Sequence, residues 1–346
     1  MSSTVVHIDQ VLVHWGEDLV WDERKPVIKG RDDTLKLLAK IGHSALTRHQ
    51  FSDKSGVTPQ SVRDHLTGIV KRSRQVMVKV TGGGSDMKRI GSHIDYIARA
   101  GRYKQKGADE LELETEEGLI VRGQDARAML KEQWMLAGAP IPETAQAIYG
   151  RDGAPKKPRR EALNVILSMP GGVDREKVVA AARATAKELF ANHQYVIAHH
   201  DDTDNPHAHI TVKMVGFDGT RLNPRKADLE QWRISFARQL NIRGVEAVAT
   251  RRRTRLKRDK GESQAVREMK DRGVRPSREA TAMTQPAAKA RALENEQRVM
   301  HAYIQMAQAL ATSPDSADQS LAKGLKNLMQ GHGVRITFNP QRKPGI

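Results

Sequence analysis

The stretch that decides the fold is HDDTDNPHAHITVKM, His200 to Met214. Asp204, Asn205 and Pro206 are turn formers, and the residues on either side alternate. They read as a β-hairpin, with one arm over Tyr195 to His200 and the other over His207 to Phe217. Symmetric pairing about the turn sets His200 opposite His209 and Asp202 opposite His207. Successive side chains alternate faces, so His200, Asp202, His207 and His209 share one face within cross-strand reach. Ala208, Ile210, Val212 and Met214 share the other face, which is uniformly apolar and therefore the core side. Three imidazoles on one polar face make a divalent-metal site by geometry. Three neutral ligands leave coordination positions open, which suits catalysis more than structure. Asp202 either ligates or orients a histidine. Asp204 either accepts a proton or caps the turn. His193 and His199 read as ordinary structural histidines.

Upstream, Ala162 to Met169 reads as a strand ended by Pro170-Gly171-Gly172. Asp174 caps a helix that runs to Asn192, and Ala227 to Leu240 is a second helix, stopped near Gly244. Gln75 to Thr81 alternates as a strand. Gly82-Gly83-Gly84 breaks it, and Met87 to Gly101 follows as a helix with Ile90, Ile94 and Ile97 on one face. Lys104 to Arg122 reads as loop with short strands, and Asp125 to Ala137 as helix. Gly150 to Arg160 reads as a basic connector. The fold class is α+β: a central antiparallel sheet with helices packed on it. Three regions follow: an N-terminal helical extension, 1–72; a central domain, 73–250; and a basic, mostly helical C-terminal region, 251–346.

In the extension, Thr34 to Gly42 reads as a short helix. Phe51 to Leu66 resembles a helix-turn-helix, with Gly56 at the turn, Thr58 as cap and Pro59 at the first helical position. An ordinary helical hairpin is the simpler alternative. Beyond residue 250 a dense basic run, TRRRTRLKRDK, precedes an alanine-rich segment from Ala287 to Ala311 that reads as a helix or a hairpin, with Pro286 suited to its first turn. The closing VRITF reads as a small strand. This region is expected to be loosely packed or to depend on a partner.

Composition narrows the chemistry. The chain has 346 residues, 58 Lys+Arg against 41 Asp+Glu, and a formal net charge of +17. Such a surplus points to a polyanion, most simply nucleic acid. Cysteine is absent, which excludes disulfides, thiolate metal sites and a cysteine nucleophile and fits a reducing cytoplasm. No run of 18 uncharged apolar residues spans a membrane, and the first residues lack an apolar signal core. A metal in so basic a protein would sit against a phosphodiester, with water, serine or tyrosine as nucleophile. Tyr96, in GSHIDYIARAGR, shares a polar helical stripe with Arg89, His93 and Tyr103, and has Arg99 one turn on. Cations near a phenol favour the phenolate. A half-buried tyrosine with its hydroxyl in water is the alternative.

The segments QVMVKVTGGGSDMKRIGSHIDYIARAG, NVILSMPGG and HDDTDNPHAH, in that order, resemble the three motifs of the conjugative relaxases. The nearest branch includes the plasmid mobilisation relaxases and the T-DNA border endonuclease. These are nucleases of the His-hydrophobic-His superfamily, and His207-Ala208-His209 supplies that pair. The resemblance covers roughly residues 70 to 250. It implies that Tyr96 attacks a DNA phosphate at an origin of transfer, that His200, His207 and His209 bind the divalent cation, and that Ser168 helps hold DNA beside the nick. Asp202 and Asp204 match acidic positions supporting the histidines or the tyrosine. The cation would be Mg²⁺ or Mn²⁺, with Zn²⁺ acceptable to imidazole. Candidates for DNA contacts are Lys213, Arg225, Lys226 and Arg233, with Arg251, Arg252 and Arg253 from the basic run. A solvated basic face is the alternative for each.

The resemblance also implies single-stranded origin DNA, accessory relaxosome proteins and the coupling ATPase of a type IV secretion system as partners. It implies a bacterial cytoplasmic protein without membrane insertion, able to travel with the DNA into a recipient. The extension before the first motif has no counterpart in this pattern, and Tyr103 stands as a second candidate nucleophile. A rolling-circle initiator or single-strand transposase uses the same groups, but in many of these the tyrosine follows the histidines. A non-catalytic DNA-binding regulator is the other alternative.

Overall fold

The computed structural model describes residues 3–21, 57–104, 109–146, 148–149, 155–200, 203–256, 264–275 and 286–334. They divide into two compact units, one over residues 73–249 and one joining 1–72 to 250–346. The helices are α1 (Ser3–Trp21), α2 (Pro59–Val70), α3 (Met87–Ile97), α4 (Gly123–Leu136), α5 (Arg175–Leu189), α6 (Lys226–Ile242), α7 (Gln264–Asp271), α8 (Pro286–Ala311) and α9 (Ser316–Gly331). The strands are β1 (Arg74–Gln75), β2 (Met77–Gly82), β3 (Leu113–Thr115), β4 (Ile120–Val121), β5 (Ile148–Tyr149), β6 (Pro155–Lys156), β7 (Ala162–Ser168), β8 (Tyr195–His200), β9 (His207–Lys213) and β10 (Ala247–Val248).

In the central unit six strands form one antiparallel sheet, in the order β2-β7-β9-β8-β3-β4. The expected α+β class is what the structure shows. Period-two alternation divides the two cores. Val165, Leu167, Ile197, Ala208, Ile210 and Val212 pack against Val178 and Ala182 of α5 and Trp232 and Phe236 of α6. Ala162, Val196 and Ala198 face the other way, onto Ile90, Ile94 and Ile97 of α3 and Trp134 of α4.

The hairpin register differs from the symmetric expectation. His200 pairs with His207, and His209 pairs with Ala198. The shift is by two residues, so every side chain keeps its face. Asp202 lies outside the described residues.

The glycine run between β2 and α3 is a steric requirement. A Cβ on Gly83 would lie 2.1 Å from the Ala162 carbonyl oxygen, and one on Gly84 would lie 2.4 Å from Ile90 Cγ1. Without side chains there, α3 closes onto the sheet. Its start is fixed by Asp86, which caps the Arg89 N–H at 2.9 Å. Burial pushes the Asp86 carboxyl up, but the N–H groups of Arg89 and Ala145 and the Arg89 charge outweigh it and hold the group below its ordinary value. Helix α3 ends at Ile97, earlier than periodicity suggests, and Gly101–Tyr103 forms a separate 3₁₀ turn.

The second unit joins the two chain ends. Ile8 and Leu12 of α1, Leu66 of α2, Tyr303 and Met306 of α8 and Leu325 of α9 share one core. The C-terminal region is thus not loosely packed where it is described. The partner it needs is the chain's own N-terminal segment. Arg63 ties the helices by ion pairs to Asp9 (2.9 Å) and Asp318 (2.8 Å). Thr58 caps α2 and Pro59 opens it, as expected. Thr34 to Gly42 and Gly56 lie outside the described residues, as does most of VRITF.

Burial, reinforced by the Arg255 charge, pushes His65 down from the ordinary 6.5 to about 4, and its Nε2 is buried with no hydrogen-bond partner among the described residues. As pH falls, the unfolded chain therefore takes up this proton first. The contribution is fully present above about pH 6.5 and declines towards pH 4, a loss of up to about 3 kcal/mol. An NMR titration of His65 with urea midpoints at both ends of that window checks this. Titration at the ordinary value would contradict it.

Candidate active site

β8 ends on His200 and β9 begins with His207 and His209, all on the face towards α3. The ring centroids of His200 lie 5.1 Å from His207 and 4.4 Å from His209, and those of His207 and His209 lie 5.1 Å apart. One ligating nitrogen from each lies within 4.8 Å of the others. Two of the rings are oriented by backbone carbonyls. His200 Nε2–H donates to Ile97 O at 2.7 Å, and His207 Nδ1–H donates to Asn205 O at 2.9 Å. Those bonds leave Nδ1 of His200 and Nε2 of His207 as lone-pair donors. Burial, then the neighbouring histidines and Arg99, push His209 down to about 2, so it stays neutral.

The turn is braced from the loop after β7. Gly171 N–H donates to Asn205 Oδ1 at 2.9 Å, and Met169 N–H donates to Pro206 O at 3.1 Å. Pro170-Gly171-Gly172 therefore helps hold the carbonyl that orients His207. Ser168 is buried and pairs directly with His207 across β7 and β9.

Helix α3 brings Tyr96 to this face. The residue is 36% exposed, which leaves it accessible. It stacks on His93 at 5.7 Å and meets His209 edge-on at 6.0 Å and Tyr103 at 5.4 Å. The guanidinium carbon of Arg99 lies 5.7 Å from the ring centroid. Burial, then the nearby His200, pushes His93 down to about 4. The Tyr103 hydroxyl is hydrogen-bonded to Ser92 Oγ at 2.9 Å.

Other candidates fall elsewhere. Lys213 shares the triad's face, as alternation requires, but it is buried and no DNA contact. Its ammonium donates to the carbonyls of Trp134 (3.1 Å) and Ala137 (2.5 Å) at the end of α4, and burial lowers its pKa. Arg233 is paired with the buried Glu230 at 2.7 Å. Arg225 and Lys226 remain exposed at the start of α6. Asp204 is exposed in the turn, and among the described residues no hydrogen bond joins its carboxylate to Tyr96 or the triad. Arg251, Arg252 and Arg253 belong to the unit formed by the chain ends, and the side chains of Arg252 and Arg253 lie outside the described residues. His193 is structural, held to Lys213 O at 3.0 Å. His199 lies one residue from the triad on the opposite face.

Sequence reasoning set His93 and Arg99 near Tyr96 but did not connect them to His200 or His209, and it assigned no role to the Ile97 and Asn205 carbonyls. The spacing of His93 and Arg99 from Tyr96, three residues either way, was the available signal.

The site is thus an antiparallel sheet face on which three histidines converge beside an accessible tyrosine. Residues 137–242 are similar to the relaxase family described as "MobA/VirD2-like, nuclease domain". The chain is 26% identical over 198 residues to the T-DNA border endonuclease VirD2 of Agrobacterium fabrum, an alignment covering 52% of this chain and 40% of that protein. It is 25% identical over 198 residues to VirD2 of Rhizobium rhizogenes, covering 52% and 42%. It is 23% identical over 168 residues to VirD2 of Rhizobium radiobacter, covering 45% and 36%. The chain thus spans about two fifths of the length of these relatives. Tyr96 precedes the family-matched segment. No described helix is long and apolar enough to cross a membrane.

Proposed function

We propose that this protein nicks and rejoins one DNA strand at a plasmid origin of transfer, through a covalent bond between Tyr96 and the 5′ phosphate. The observation that carries this reading is the accessible Tyr96 ring set against His209 of a converged histidine triad. The donor set fits a divalent cation: His200, His207 and His209 would hold Mg²⁺ or Mn²⁺, and Zn²⁺ also suits imidazole. When bound, the ion supplies positive charge against the non-bridging oxygens of the scissile phosphate.

Tyr96 does the bond-making. Its phenol oxygen bonds to phosphorus as the bond from phosphorus to the 3′ oxygen breaks. The phenol proton passes to solvent, and the departing 3′ oxygen takes one up. One phosphodiester replaces another, so rejoining needs no ATP. Ser168, Arg225 and Lys226 are the proposed DNA contacts of this unit, with Arg251, Arg252 and Arg253 adding salt-sensitive affinity from the other. Accessory relaxosome proteins, a type IV coupling ATPase and action in the donor cytoplasm complete the proposal.

The test is to incubate the protein with single-stranded DNA from beside its own gene, with Mn²⁺ or with excess chelator. A covalent adduct with Mn²⁺ alone is expected. Hydrolysis without an adduct would replace this reading with a metal nuclease.

A further inference from the structure

Arg99 occupies a backbone position that glycine normally fills. It stands just past the Ala98 cap of α3, at φ 54°. The helix closes with two reciprocal bonds: Arg99 N–H to Tyr96 O at 3.1 Å and Ala100 N–H to Asp95 O at 2.9 Å. That closure places its central residue in the left-handed region, where a Cβ is unfavourable. Among the described residues only Arg72 and Leu256 share this departure outside glycine. A side chain kept at such a position, beside a candidate active site, argues for a use of that side chain.

Among the described residues the guanidinium reaches His200 and Tyr96. Its Nη2 donates to His200 Nδ1 at 3.2 Å, and its carbon lies 5.7 Å from the Tyr96 centroid. His200 Nε2–H is committed to Ile97 O, so Nδ1 is the lone pair this histidine has for a metal. A metal at the triad and the guanidinium therefore compete for one lone pair. The guanidinium, permanently charged and planar, lies beside both the Tyr96 ring and His200 of the triad. That is where the proposed reaction needs a phosphodiester, and the guanidinium fork matches two oxygens of a phosphate.

We propose that Arg99 is a resident cation of this site, holding His200 Nδ1 when the triad is metal-free and gripping a non-bridging oxygen of the scissile phosphodiester when DNA binds. This rests on the relaxase reading above for its second half only.

The test compares the full chain with Arg99→Gly and Arg99→Lys. Glycine suits the left-handed backbone, so its melting midpoint should hold or rise. Calorimetry with Mn²⁺ alone should show binding at least about tenfold tighter in Arg99→Gly, because a charge beside the ion is gone. Adduct formation on single-stranded DNA should slow about 10²-fold, with partial recovery in added guanidinium. Arg99→Lys should fall between. A merely structural role would lower stability, metal affinity and adduct yield together. Unchanged or weaker Mn²⁺ binding in Arg99→Gly would overturn the competition at His200, and a wild-type adduct rate in that variant would overturn the phosphate grip. If the wild type forms no adduct while Arg99→Gly still binds Mn²⁺ more tightly, the relaxase reading falls and the competition stands.

Discussion

Tyr96→Phe should form no covalent adduct and leave origin DNA uncut, a loss of at least about 10⁴-fold. The fold should be indifferent. The contacts of Tyr96 with His93, His209 and Tyr103 are ring contacts, and phenylalanine keeps the ring. For so exposed a position the stability change should stay within about 0.5 kcal/mol. DNA affinity should persist, because it is spread over many phosphate contacts. Tyr103→Phe is the control: its hydroxyl is held to Ser92 Oγ, and the variant should keep at least part of the activity. With end-labelled oligonucleotides on a denaturing gel, the label retained by the protein should be the one on the 3′ fragment, whose 5′ phosphate is captured. A peptide map placing the adduct on Tyr103 would reassign the nucleophile.

What the sequence revealed of this site follows from which physical quantities are local. Alternation is local, so the shared face of His200, His207 and His209 was legible before any pairing was known. Register is not local. It depends on how the turn is braced, here by Gly171 on Asn205, and symmetric pairing misplaced it by two residues. Because the shift was even, the site survived the error. Burial along a face is not local either. Lys213 has the triad's parity, yet α4 covers that end of the face, and the ammonium serves the helix carbonyls instead of DNA. The left-handed turn at Arg99 was hidden because the apolar stripe Ile90, Ile94, Ile97 gives no sign of where α3 stops. The union of the two chain ends was hidden for a similar reason: an amphipathic face at Ile8 and Leu12 announces that it will be covered, not that α8 and α9 will cover it.

The triad admits a test that separates metal from DNA. His207→Ala removes one of three donors and the ring that Asn205 O orients. Mn²⁺ affinity should fall at least about 10²-fold, beyond what the loss of a supporting outer contact costs, and nicking should vanish with it. Single-strand affinity should stay close to wild type, since it is spread over many phosphate contacts. The sharper comparison is His199→Gln. His199 is adjacent to a proposed ligand, yet it points to the other face, and both its ring nitrogens are buried with no hydrogen-bond partner among the described residues. Burial, then the charges of Arg183 and His200, hold it down at about 4. If ligation follows face rather than proximity in sequence, His199→Gln should bind Mn²⁺ as the wild type does while His207→Ala does not. Calorimetry on both variants decides the matter: equal affinities in the two would detach the triad from the metal, and undiminished nicking in excess chelator would detach the metal from the chemistry.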